Sequence, residues 1–211
     1  VNCKIQDTDR LETYVGRKVA PLGYAWVFPK GSESANVGLG VRGAPAKPYL
    51  DRFISRHPDM FRNSKIIEIQ AAPVPIGGQI KNTVYENIML CGDAAGQVIP
   101  LTGGGIHSSL AAGKIAGEVA GKAIASMDFN LDEYPAKYNQ VWAKRFFNSL
   151  YALRMIERLN DNDLNRLPDI LTGQDIVDLA SGFNFDRVRR KLLKHPAFTK
   201  RLTKALLNGR D

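Results

Sequence analysis

Cysteine and histidine are scarce in this chain. Its 211 residues include two cysteines, Cys3 and Cys91, and three histidines, His57, His107 and His195. Two thiols so far apart form neither a disulfide framework nor a zinc-binding spacing, so no metal site is expected and a reducing cytoplasm fits. No apolar run is long enough to span a bilayer. The opening stretch, VNCKIQDTDR, lacks the basic head and apolar core of a secretory leader. It reads as the middle of a strand, which predicts a piece of something longer. No G-x-G-x-x-G stands at a strand-to-helix junction, so the fingerprint of a dinucleotide-binding βαβ unit is missing. There is no internal repeat and no low-complexity segment.

What is present is an ordinary globular composition, 44% hydrophobic and 24% charged, in a chain long enough to bury a core. The formal charge of +8 is concentrated at one end. From Asp186 to Asp211 there are nine Lys/Arg against two Asp. A basic end suits an acidic partner, nucleic acid or an anionic membrane surface. Aromatic interleaving and nucleic-acid motifs are absent, so no nucleic acid is expected. A solvated face, or docking on an anionic membrane from the cytoplasmic side, remains.

The hydrophobic pattern predicts an α+β protein. LETYV, GYAWVFP and ANVGLGV alternate at period two and read as an antiparallel meander. KPYLDRFISRH has helical spacing. SKIIEIQ and NIMLCG are further strand candidates, separated by the turn-rich PVPIGG. From Ile106 onward helix dominates. Gly113, Gly117 and Gly121 share one face of the first long helix, which predicts close approach of another backbone. Lys114, Glu118 and Lys122 form a charged row beside it. Trp142, Phe146, Phe147 and Tyr151 form an aromatic stripe that reads as core or as cavity lining. The chain divides on this reading into an antiparallel sheet portion (1–83), a strand, loop and helix segment (84–126) and a helical region (127–211).

The most informative stretch is CGDAAGQVIPLTGGGIHSSLAAG, from Cys91 to Gly113. Asp93 follows a predicted strand, where its carboxylate can accept hydrogen bonds from ligand hydroxyls, or simply shape a turn. Gly103, Gly104 and Gly105 open a helix whose free N–H groups and partial positive charge suit an anion or an electron-rich ring edge. Pro100 restricts the loop. Cys91 reads as a small buried residue, and His107 as packing or capping.

The whole string, G-D-A-A-G-x-x-x-P-x-x-G-G-G-I, resembles the second FAD-contacting motif of the aromatic-hydroxylase superfamily of flavoproteins. The resemblance implies FAD as cofactor. By the resemblance Asp93 would meet its ribityl and phosphate region and Gly103, Gly104 and Gly105 its isoalloxazine, with Gly92, Pro100 and Ile106 also among the cofactor-binding residues. With the missing fingerprint, the FAD site within this chain is incomplete.

A second motif narrows the family. PLGYAWVFPKGSESANVGLG carries Pro21, Tyr24, Trp26, Phe28 and Pro29, then Gly38 and Gly40. It resembles the signature of geranylgeranyl reductases, FAD-dependent enzymes that saturate isoprenoid double bonds, and implies that this chain is the C-terminal part of one. Independently of that likeness, Tyr24, Trp26 and Phe28 alternate and so place three rings on one sheet face, about 7 Å apart. Alternation by itself equally suits a core strand packed under a helix; with the two resemblances, these rings and Pro29 would be the substrate-binding residues for a polyprenyl lipid. No catalytic residue is assigned, and the electron donor is left open. A flavin monooxygenase of the same superfamily and a non-catalytic lipid- or membrane-binding module are the alternatives.

Overall fold

Alternation governs the first sheet. In the computed structural model, which describes residues 1–200 other than 4, 6, 183, 197 and 198, strands β1 (Glu12–Val15), β2 (Tyr24–Pro29) and β3 (Ala35–Gly40) form an antiparallel sheet in sequence order. Ala25 and Val27 of β2 are buried, while Tyr24, Trp26 and Phe28 point the other way and are half-exposed. The small face is covered by helices α1 (Ala46–Ser55) and α2 (Pro58–Phe61). Their Phe53 and Phe61 join Cys3, Ala25, Val27 and Ala35 in one core. Tyr14 seals its edge, with its ring centroid 5.0 Å from that of Phe53. Burial and a hydrogen bond to Glu12 push the Tyr14 phenol up to about 12.

These elements belong to one compact unit, Val1–Ala72 together with Leu159–Arg166. The returning segment holds helix α5 (Asp161–Leu164), capped by the Asn160 side chain. Asp161 accepts the backbone N–H of Arg17 at 2.9 Å. The predicted strand SKIIEIQ does not form. Lys65 bridges Asn2, and no strand pairing follows for residues 66–71 among the described residues. Ile66, Ile67 and Ile69 are exposed there. Alternation makes a strand only where a neighbour supplies hydrogen bonds.

The second unit runs from Pro73 to Arg158 and resumes at Leu167. Its strands β4 (Val84–Tyr85) and β5 (Ile88–Met89) form a two-stranded antiparallel ladder, shorter than NIMLCG predicts. Two long helices dominate, α3 (Ile106–Ser126) and α4 (Glu133–Ile156). Tyr134, Tyr138, Trp142 and Phe146 recur at i+4 on α4 and are all buried. Opposite them, α3 presents Ser108, Ala112, Val119 and Ala123. Small residues on one helix accept the rings of the other.

Close packing of α3 therefore uses its alanine face, not its glycines. A Cβ at Gly113, Gly117 or Gly121 would meet nothing within 4 Å among the described residues, which do not supply the close approach expected of these glycines. Lys122 pairs with Glu133 at 2.8 Å. Phe147 and Tyr151 lie outside the α4 core stripe and are exposed.

Helices α6 (Leu167–Ile170), α7 (Gly173–Ser181) and α8 (Phe185–Leu193) build a smaller core around Leu171, Leu179 and Val188. Thr172 and Asp175 close a capping box at the start of α7. Asp175, fully buried, also meets Arg187 and Lys191 of α8, and Arg187 meets Asp178 at 2.7 Å. Part of the basic end, residues 201–211, lies outside the described residues. No helix among the described residues is long and apolar enough to cross a membrane.

Candidate functional site

Cys91, in extended conformation, leads into a 3-10 turn, Gly92–Ala95, that carries Asp93. Asp93 thus sits on a tight turn four residues past the end of the short strand β5. Gly92 (φ +65°) and Gly96 (φ +64°) bracket this turn in the left-handed region that favours glycine. Gly96 has a second constraint, because a Cβ there would stand 2.4 Å from the carbonyl oxygen of Gly78.

Between the turn and α3, the chain folds back on itself. Ile99 donates its N–H to Gly104 and accepts that of Gly103, both at 2.9 Å. Pro100 is buried at the bend. Gly103 (φ +68°) lets the loop turn, and Thr102 Oγ1 accepts the Gly104 N–H at 3.2 Å. The result brings Asp93 beside the start of α3. A Cβ at Gly105 would lie 3.5 Å from Asp93 Oδ1, and one at Gly92 would lie 3.3 Å from Ser109 Oγ.

Gly105 is the N-cap of α3. No side chain caps the helix, and no acidic residue stands in its first turn. The N-terminal N–H groups and the positive end of the helix dipole are left for another acceptor. Asp93 is exposed next to them, and Ile106 is 82% exposed. Chemically, the arrangement offers a carboxylate acceptor and a set of amide donors within one glycine-lined corner.

His107 turns away from that corner and packs on Trp142, with ring centroids 5.0 Å apart. The Arg145 guanidinium covers Trp142 at 4.6 Å. Burial foremost, then the neighbouring Cys91 thiol, raises the Tyr134 phenol well above its ordinary value. A buried polar set that the motif does not announce, Gln97, Ser108 and Tyr134, lies directly beneath the turn. Its one sequence signal is a glutamine at the head of an otherwise apolar run, QVIP.

The ring face of β2 is a separate feature of the first unit. The Tyr24 and Trp26 centroids are 5.6 Å apart, and Trp26 stacks on Phe28 at 6.0 Å and 24°. The indole Nε1 donates to Asn36 Oδ1 at 2.7 Å. Trp26 pairs across the sheet with Gly38, and Tyr24 with Gly40. These are the two glycines of the second motif, and at Gly38 the glycine makes room for the indole. Burial raises the Tyr24 phenol. Pro29 ends the strand.

Comparison with known proteins matches residues 1–74 to the family model for the geranylgeranyl reductase catalytic domain. A digeranylgeranylglycerophospholipid reductase of Methanocaldococcus jannaschii is 37% identical over 207 residues, covering 94% of this chain and 51% of that protein. A second protein of that name, from Methanothermobacter thermautotrophicus, is 40% identical over 182 residues, covering 82% of this chain and 46% of its own length. Among solved structures, a geranylgeranyl bacteriochlorophyll reductase-like protein from Thermoplasma acidophilum superposes with a TM-score of 0.80 at 28% identity. It covers 97% of this chain and 52% of its own. The chain spans about half the length of the curated relatives it matches. Along nearly its whole length, then, the chain is similar to one part of the geranylgeranyl reductases.

Proposed function

We propose that this chain forms the prenyl-binding and flavin-contacting part of an FAD-dependent oxidoreductase that reduces carbon–carbon double bonds of geranylgeranyl lipids. The observation that carries the flavin half is the approach of Asp93 to the uncapped start of α3 at Gly105. A carboxylate suited to ribityl hydroxyls lies beside donors suited to a ring edge that gains electron density on reduction. Gly92, Asp93, Pro100, Gly103, Gly104, Gly105 and Ile106 would hold the group. FAD, when bound, supplies the hydride equivalent.

The chain's own contribution to the chemistry is binding and electrostatics. The stacked rings of Tyr24, Trp26 and Phe28, with Pro29, offer an apolar wall for a polyprenyl chain. An isolated trisubstituted alkene gains positive charge on its tertiary carbon as it is reduced, and ring faces stabilise that charge. Relatives named for digeranylgeranylglycerophospholipids support an archaeal-type membrane-lipid precursor as substrate. The exposed Arg189 and Arg190 of α8 would favour an anionic membrane surface, where such lipids reside.

The test is product mass from the whole protein carrying this sequence, supplied with reductant and a geranylgeranyl lipid. Two mass units gained per double bond are expected, with flavin absorbance in the purified protein. Added oxygen would point to a monooxygenase, and an absence of flavin to a binding module.

A further inference from the structure

Gln97 lies in no ligand-facing position, yet hydrogen bonds tie it to both the Asp93 turn and the start of α3. It is fully buried. Its backbone N–H donates to the Gly92 carbonyl at 2.9 Å, and its side-chain Oε1 accepts the Gly92 N–H at 2.7 Å. Both polar groups of Gly92, the residue just before Asp93, are therefore held by one glutamine. The side-chain Nε2 donates to the Tyr134 hydroxyl at 2.9 Å, which in turn donates to the Leu90 carbonyl at 2.8 Å. The Gln97 carbonyl accepts the Ser108 hydroxyl at 2.6 Å. Ser108 lies in the first turn of α3 and also reaches the Gly105 carbonyl at 3.0 Å.

We infer that Gln97 is the positioning residue that sets the distance between the Asp93 turn and the N-terminus of α3, and so sets FAD affinity. The inference rests on the flavin reading above. Only a side chain with an acceptor and a donor on one planar group meets Gly92 on one side and Tyr134 on the other. An apolar side chain of the same length would leave the half-buried Gly92 N–H without its Gln97 acceptor, and the left-handed Gly92 would lose its restraint. Asp93 and the helix start would then vary in separation.

The experiment uses the whole flavoprotein with four forms: wild type, Gln97→Met, Asp93→Asn and the double variant. FAD dissociation is measured by flavin fluorescence, and folding by thermal melts. Gln97→Met is expected to weaken FAD about 10-fold or more. The double variant is expected to be little worse than Asp93→Asn alone, because Gln97 acts largely through Asp93. A merely structural role would give additive losses. Unchanged FAD affinity in Gln97→Met, or full additivity, overturns the positioning role while Asp93→Asn still reports on the flavin site. A wild-type protein that holds no FAD overturns both.

Should Gln97→Met fail to fold, Gln97→Glu carries the test. A buried carboxyl titrates above its usual range, and its protonated form presents one acceptor and one donor, as the amide does. FAD affinity in Gln97→Glu should recover as pH falls toward about 5. A pH profile parallel to wild type would overturn the role.

Discussion

Trp26 lies flat over Gly38, its partner across β2 and β3, so closely that a Cβ on the glycine would stand 2.4 Å from the indole Cζ2. Gly38→Ala must therefore lift the ring or bend the strand. The expected cost is about 1–3 kcal/mol, as for other overpacking changes. A lower urea midpoint and red-shifted tryptophan emission would register it. An unchanged midpoint would mean that the indole has free space on its other side.

Removing the ring itself addresses the chemistry. In the whole protein, Trp26→Ala is expected to lower alkene turnover by about 2- to 30-fold, the range of one cation–π contact of ~0.5–2 kcal/mol. The loss should fall on kcat as well as KM, because charge develops on the way to product. A change in KM alone would reduce Trp26 to a binding surface.

Gly96→Ala combines two penalties, a left-handed backbone at φ +64° and a Cβ 2.4 Å from the Gly78 carbonyl oxygen. Because the obstacle is backbone, a side-chain rotation cannot relieve it. The variant is expected to lose at least about 1–3 kcal/mol. Its melting temperature and soluble yield should both drop, and a melt equal to wild type would contradict the geometry.

Acid should loosen the α7–α8 core. Hydrogen bonds from Lys191 foremost, then from Thr172, hold the Asp175 carboxyl far below the ordinary carboxylate range. A depressed folded value contributes stability that is complete above the unfolded value of about 3.9 and fades as pH falls below it. Melts taken from pH 6 down to about 2.5 should therefore show a steep loss in the acid range. Asp175→Asn should start lower and show a shallower slope, and parallel slopes would assign the acid loss to other carboxylates.

Much of the molecule was legible in the residues. Period-two patterning placed β1, β2 and β3, and helical spacing placed α1, α3 and the aromatic stripe of α4, because both signals are local. SKIIEIQ and the glycine face of α3 read less well. Each pattern specifies a face that wants a neighbour, but not whether this chain supplies one. The aromatic stripe on α4 was half right for a related reason. Tyr134 and Tyr138 replaced Phe147 and Tyr151 as the buried rings once the helix met α3.

In the second unit the sequence by itself singled out the carboxylate of Asp93 and the glycines that follow it, and in the first the alternation that sets three rings on one side of β2, since spacing along the chain dictates these. Tertiary structure decided what lies beneath the Asp93 turn. Gln97, Ser108 and Tyr134 are separated by 11 to 37 residues and meet through hydrogen bonds of 2.6 to 2.9 Å. Such bonds depend on how α3 and α4 pack, and no periodicity along a chain encodes the pairing of polar groups that only burial forces together.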